Sequence, residues 1–320
     1  MQVGPASRPA TGPRTLVAAA TGSRESREPE LPRRPVDTSA SGSEQRTVHV
    51  ADGRALQSAL DDARGGDRIL LQPGATYTGP FTLRNRDDGG WVVVASTAAD
   101  RLPPGERVAP AQAPLMPRLR ASSNAVIAAD DGAHHFRFVG LDIAPDDGVF
   151  LHNLVRLGGD EDELEDVPHH IVLERCYLHG DPIRGTRRGV AMNGRDMAVV
   201  DSHLSDFKEM VADSQAIAGW NGPGPFRIAN NYLEAAGENV MFGGADPEIE
   251  DLVPSDIEVI GNHIAKPLGW KKDDPAFAGT AWTVKNLFEL KNARRVLIDG
   301  NLFEYNWRDA QNGFAILFTV

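Results

Sequence analysis

Phe226-Arg227-Ile228-Ala229-Asn230-Asn231-Tyr232-Leu233 and, 31 residues further on, Ile257-Glu258-Val259-Ile260-Gly261-Asn262-His263-Ile264 are two copies of one pattern. Both are apolar at positions one, three and eight and carry Asn at position six. The same apolar template fits Phe136 to Ile143, Ile171 to Leu178, Met197 to Leu204 and Val296 to Phe303. First positions lie 26 to 39 residues apart, about 32 on average, a spacing typical of stacked structural repeats. A constant template at variable spacing places the insertions in loops and leaves one strand per repeat unchanged.

Position six reads Leu141, Cys176, Ser202, Asn231, Asn262 and Asn301. Asn is disfavoured in strands. Its return at one register predicts side chains stacked from coil to coil and passing hydrogen bonds along the stack. Turn asparagines that coincide in register are the alternative. Cys176 in this column reads as a buried, inert thiol. As the only cysteine, it excludes intramolecular disulfides and Cys-based zinc sites.

Second apolar stretches follow several templates, at Val190 to Met192, Ile217 to Gly219, Val240 to Phe242, Leu287 to Leu290 and Phe314 to Phe318. Two or three strands per repeat with no helix between them predict an all-β chain coiled into a parallel β-solenoid. Before the repeats, Leu56, Ala59, Leu60 and Ala63 fall at helical spacing between an N-cap at Asp52 and a stop at Gly65-Gly66. This short helix over 52–64 is expected to close the N-terminal mouth of the core. The chain stops at Ala315-Ile316-Leu317-Phe318-Thr319-Val320, in mid-strand. An open apolar end predicts that the native polypeptide continues or that a partner covers it.

Residues 1–46 contain no Phe, Trp or Tyr and carry seven Arg against five acids. Such a segment cannot bury enough surface to offset its ordering entropy and is expected to be a disordered tail, leaving 47–320 as one β-helix domain. Leu16-Val17-Ala18-Ala19-Ala20 is too short for the apolar region of a signal peptide. Of 320 residues, 45 are Asp or Glu and 33 Lys or Arg, a net charge of −12. Beyond the tail the balance is 26 basic to 40 acidic residues, net −14. No basic stripe is present for nucleic acid, and no apolar run is long enough to span a membrane.

The opening Leu56-Gln57-Ser58-Ala59-Leu60 through Gly65-Gly66-Asp67-Arg68-Ile69-Leu70-Leu71-Gln72-Pro73-Gly74-Ala75-Thr76-Tyr77, together with the repeats and their Asn column, resembles the right-handed parallel β-helix superfamily, the pectate-lyase-like fold. The resemblance spans 48–320 and implies an extracellular or cell-envelope protein with a polysaccharide partner. Members include pectate, alginate and chondroitin lyases, polygalacturonase-like hydrolases, tailspikes and silent surface proteins, so the fold does not choose an activity. The Asn-Thr-Asp, Asp-Asp, Gly-His-Gly and Arg-Ile-Lys elements of the hydrolases are absent, as is the Arg-x-Pro-x-x-Arg signature of one pectate-lyase family. Glu289-Leu290-Lys291-Asn292 followed by Val296 to Phe303 is similar to the Lys-bearing strand end of chondroitin and alginate lyases. Where those enzymes place an Arg on the next coil, this chain reads Phe314-Ala315-Ile316-Leu317-Phe318.

β-Elimination beside a uronate carboxyl needs a base and a group that neutralises the carboxylate. Strand alternation turns Glu289 and Lys291 outward from the core-facing Phe288 and Leu290. Lys291 is then the expected base and Glu289 its orienter; a solvated ion pair at a turn is the alternative. Arg188, Gln215, Glu238 and Asn286 each lie two residues before a core-facing position, so stacking at about 4.8 Å predicts one polar stripe. Arg188, Lys285, Lys291 and Arg184 would have to form a local basic groove. Trp220-Asn221 and Glu238-Asn239 sit among glycines that permit close approach of a ligand or of the next coil. Trp220, Trp270, Trp282 and Trp307 suit either sugar stacking or loop packing.

Asp160 to Asp166 holds six acids in seven residues and Asp246 to Asp251 four in six, so Ca²⁺ is a possible cofactor beside the alternative of solvated acidic loops. The pairs His134-His135 and His169-His170 have adjacent rather than i, i+4 spacing, which points to turns rather than a metal. The leading expectation is a lyase acting on an acidic polysaccharide. A non-catalytic carbohydrate-binding or scaffold solenoid, and a hydrolase using Glu238 and Asp213, are the alternatives.

Overall fold

The computed structural model describes residues 28–39 and 44–319. The chain winds as a right-handed parallel β-helix with three sheets, of nine, eight and eight strands. Each coil contributes one strand to each sheet in turn, as in Tyr232–Ala235 and Glu238–Phe242 following Phe226–Ala229. In the first sheet, Phe136, Ile171, Met197, Phe226, Ile257 and Val296 are consecutive partners in register, so every repeat begins where the template places it. Position eight aligns equally in the second sheet, from Ile143 through Leu178, Leu204, Leu233 and Ile264 to Phe303. These columns form one continuous apolar core along the helix axis.

The bend between the first and second sheets is built at positions five and six. Position five is Gly140, Arg175, Asp201, Asn230, Gly261 and Gly300, and all six have positive φ. Left-handed backbone favours Gly, Asn and Asp, and the chain turns there in every repeat. Position six then satisfies the buried backbone of the bend. Cys176 N–H donates to Ser202 Oγ (3.0 Å), Ser202 N–H to Asn231 Oδ1 (2.9 Å), Asn231 N–H to Asn262 Oδ1 (2.9 Å) and Asn262 N–H to Asn301 Oδ1 (2.9 Å). The Asn Nδ2 groups donate in turn to Val199, Ile228 and Val259 carbonyls. Cys176 lies fully buried in this column, and burial raises its thiol pKa to about 12, which leaves it unreactive at neutral pH.

The capping helix runs Gly53–Asp61, shorter than expected, with Asp52 accepting from Ala55 N–H and with Leu56 and Leu60 buried on the first coil. Part of the stretch expected to be tail is packed: residues 28–39 lie along the outer face of the first sheet. Val36 is buried in a cluster with Trp91, Val172, Ala198, Val200 and Ala229. Arg33 N–H donates to Asp256 Oδ1, Arg34 contacts Asp196, and Arg137 donates to Thr38 O. Residues 1–27 and 40–43, the remainder of that expected tail, lie outside the described residues, and the first strand begins at Arg46. At the last coil Leu302, Phe314, Ile316 and Phe318 are exposed.

Asn262→Ala removes the acceptor of two Asn231 groups and the donor to Ile228 O inside the core. Each orphaned buried group costs about 1–3 kcal/mol, so a loss near 3 kcal/mol is expected in urea denaturation. Asn301→Ala, at the partly exposed end of the column, is expected to cost less.

Candidate active site

Arg188, Gln215 and Glu238 open successive strands of the third sheet, Arg188–Met192, Gln215–Gly219 and Glu238–Phe242, and are direct register partners. Asn153 precedes them in the row, and the pairing of Val240 with Phe288 places Asn286 after them. The expected stripe is therefore present. These residues share the parity of core positions, yet their side chains bond along the row. Their successors explain this: Ala216 joins the core, and a Cβ on Gly189 would meet the buried Phe207 ring at 2.8 Å. The inside of the corner is taken by the following residue, and simple alternation breaks.

Along the row Arg188 Nε donates to Gln215 Oε1 (3.0 Å) and Gln215 Nε2 donates to Glu238 Oε2 (2.9 Å). Arg188 stacks over the Trp220 ring at 5.1 Å, and its two terminal nitrogens have no hydrogen-bond partner among the described residues. Glu238 is fully buried, and its Oε1 accepts no hydrogen bond. Lys285 Nζ stands 3.7 Å from that oxygen and 2.5 Å from Asp213 Oδ2. Burial and then the charge of Asp213 push the Glu238 pKa above its ordinary value. Against the pull of burial, the hydrogen bond to Asp213 and the charge of Glu238 hold the Lys285 ammonium above its usual pKa.

Beyond Lys285, Asn286 Nδ2 donates to Glu289 Oε2 (2.9 Å), and Lys291 Nζ lies 3.7 Å from Glu289 Oε1. Glu289 is turned off the core as expected but is almost wholly covered. Lys291 sits three strand steps from Arg188, about 14 Å at 4.8 Å per step, and several residues further along the strands. Lys291, the expected base, and Arg188 therefore cannot serve one sugar ring. Arg184 is exposed on the turn before Arg188, its backbone N–H held by Asp181, and shares no hydrogen bond or ion pair with the row.

Two expected ligand contacts are structural. Asn239 is fully buried, with Nδ2 donating to Leu233 and Ala265 carbonyls and Oδ1 accepting from Lys266. Asn221 is buried too, donating to Glu161 O and accepting from Glu248 and Ile249 N–H, so it ties both acidic loops to the solenoid. Trp270 and Trp282 pack with Ala236 and Val284, with the Lys208 ammonium over both rings. Trp220 alone of the tryptophans touches the row.

Lys266 carries no signal in the sequence. Its fully buried Nζ donates to the carbonyls of Ala235, Ala236 and Gly237 at 2.6–3.0 Å and to Asn239 Oδ1 at 2.8 Å. It thereby holds the turn that delivers Glu238. Burial lowers its pKa to about 7, while four oxygen acceptors around one nitrogen favour the charged form.

The acidic runs do not converge on a cation: among the described residues no group of three or more Asp or Glu brings its oxygens within 4.8 Å of one another. In the row, Lys285 already occupies the space between Asp213 and Glu238. These residues do not fit a resident Ca²⁺. Among the described residues no helix is long and apolar enough to cross a membrane.

No protein-family model matches the chain, and no curated protein matches it. Among solved structures, an alginate lyase from Paenibacillus sp. str. FPU-7 is similar at TM-score 0.43 and 13% identity, over 86% of this chain and 98% of that one. Pectate lyase Pel9A is similar at TM-score 0.36 and 14% identity, over 81% and 79%. The PL6 family alginate lyase AlyGC is similar at TM-score 0.35 and 12% identity, over 91% of this chain and 38% of that one. The chain has a right-handed parallel β-helix fold, built of three parallel sheets.

Lys266→Met removes the ammonium that bonds the Ala235 and Gly237 carbonyls and Asn239 Oδ1, while Ala236 O keeps its bond from Lys285 N–H, and is expected to destabilise the protein by about 3 kcal/mol in thermal or urea unfolding. For Glu238, whose pKa is higher folded than unfolded, the stabilising contribution is complete below its unfolded pKa and is lost as pH rises through the folded value. Glu238→Gln is therefore expected to be more stable than the parent at pH 8 and to lose that advantage near pH 4, as melting curves at the two pH values will show.

Proposed function

We propose that this protein is an enzyme of the extracellular space or cell envelope that cleaves an acidic, uronate-containing polysaccharide by β-elimination, with its centre at Arg188, Gln215, Glu238 and Lys285. One observation carries this reading. A guanidinium stacked on Trp220 with two unpartnered nitrogens lies two hydrogen bonds, through the Gln215 amide, from a buried carboxyl with an unpartnered oxygen. The first group suits bidentate capture of a carboxylate. The second, its pKa raised by burial and by the charge of Asp213, suits proton transfer. For a uronate held by Arg188 to reach the fully buried Glu238, two strand steps away, the side chains covering Glu238 must part.

In the proposed reaction the Glu238 carboxylate takes the proton from the carbon bearing the uronate carboxyl, and the electron pair is delocalised into that carboxyl, where Arg188 holds the charge. The bond from the neighbouring carbon to the glycosidic oxygen then breaks, a carbon–carbon double bond forms, and the leaving oxygen takes a proton from the Lys285 ammonium. Proton return from Glu238 to Lys285 across 3.7 Å restores both groups. Asn286, Glu289 and Lys291 fall to a neighbouring sugar.

Incubation with pectate, alginate and chondroitin sulfate, with and without Ca²⁺, is expected to produce the ultraviolet absorbance of unsaturated uronides on at least one substrate. Glu238→Gln is expected to lower kcat about 10²–10⁴-fold with binding retained, and Arg188→Ala to raise KM as well. Because the base must be ionised, kcat/KM is expected to fall with acidification at an apparent pKa above the ordinary carboxylate value. Reducing ends without absorbance would instead assign hydrolysis to Glu238 and Asp213. Retention of polysaccharide with neither product would mark a binding protein.

A further inference from the structure

Four of the nine histidines lie together on the outer face of the first sheet, away from the row on the third. His134-His135 and His169-His170 open neighbouring strands, and His134 pairs with His169 in register. The 35-residue separation is one coil, so spacing that reads as adjacent in sequence becomes a two-by-two array in space. His135 and His170 both have positive φ, which brings successive side chains out on one side of the strand instead of opposite sides. The rings stack coil on coil, His134 on His169 at 4.9 Å and His135 on His170 at 4.4 Å, each within 10° of parallel. Within each coil the Nδ1 atoms meet, at 2.8 Å for His134 and His135 and 2.7 Å for His169 and His170.

We propose that His135, His169 and His170 form a binding site for a borderline divalent transition-metal ion of the zinc type, clamping two consecutive coils. Ligand nitrogens of these three residues all lie within 4.8 Å of one another. Tetrahedral zinc with bonds of about 2.0–2.1 Å needs nitrogens about 3.3 Å apart, so the set closes on a metal with sub-ångström ring movements. Imidazole-only donors suit Zn²⁺, Ni²⁺ and Cu²⁺ and not Ca²⁺ or Mg²⁺.

His134 supports the array from behind. Its Nε2 meets only the carbonyl oxygen of Arg86 (2.9 Å), so that nitrogen carries the proton and Nδ1 accepts from His135 Nδ1–H. His135 Nε2 then keeps a lone pair with no hydrogen-bond partner among the described residues. Donation from a ring N–H to a backbone carbonyl is the usual way in which an imidazole near a metal is oriented. The charged groups facing the array are of both signs: Asp88 and Asp196 favour a cation, and Arg34, Arg86 and Arg195 oppose it.

Calorimetric titration of the chelator-treated full chain with Zn²⁺ is expected to give one site per chain with a Kd of about 1 μM or tighter. The double variant His135→Ala/His170→Ala is expected to bind at least about tenfold more weakly while circular dichroism and pectate, alginate or chondroitin activity stay unchanged. Cu²⁺ spectra of the parent protein are expected to show two or more imidazole nitrogens, a measurement that needs no variant to fold. Zinc binding no tighter than about 1 mM by the parent, equal binding by a folded double variant, or a Cu²⁺ spectrum with oxygen ligands alone would overturn the site.

Discussion

The structure depends on one distance, the 4.8 Å step between parallel strands, and on the requirement that every coil keep the same register across that step. A one-residue slip would turn each apolar column out of the core. The Asn column guards against such a slip, because each side chain accepts from the backbone N–H of the previous coil and donates to a carbonyl deep in the bend. A coil out of register would lose these bonds at a point water cannot reach. The same constraint fixes the polar row, since Arg188, Gln215 and Glu238 bond to one another only because their strands are in step.

Much of this was legible in the residues. Apolar positions one, three and eight locate six strands of the first sheet and their continuation into the second, because burial on one face imposes a pattern that insertions cannot disturb. The Asn column was visible for the same reason. Position five, reading Gly140, Arg175, Asp201, Asn230, Gly261 and Gly300, is an equally regular left-handed site. It is obscured in the sequence by the side chains of Arg175 and Asp201, which adopt positive φ at a cost that tertiary packing overrides.

The site was legible only in part. Stripe membership follows from register, so Arg188, Gln215, Glu238 and Asn286 were found. Roles depend on lateral distance, which spacing along the chain does not carry, and Arg188 and Lys291 proved too far apart to share a sugar. Asn221 and Asn239 show the other limit, since a Gly-flanked polar residue suits a ligand and a buried bracket equally well. Lys266 was hidden because a lysine after a strand ordinarily points to water; here the carbonyls of Ala235, Ala236 and Gly237, converging on one point, draw it inward. The histidine pairs open strands just after turns, as their spacing suggests, but their assembly into a two-by-two array is hidden because the partners lie a full coil away.

Residues 28–39 bring a different kind of order. In a solenoid each coil touches only its neighbours, so stability behaves as a one-dimensional chain of nearest-neighbour couplings. The segment from Arg33 to Thr38 runs across the strands, contacting Asp256 at one end and Arg137 at the other with Asp196 between. It thus couples coils that are not adjacent. Such a brace lengthens the cooperative unit, so that the central coils lose the option of opening one at a time and must open together.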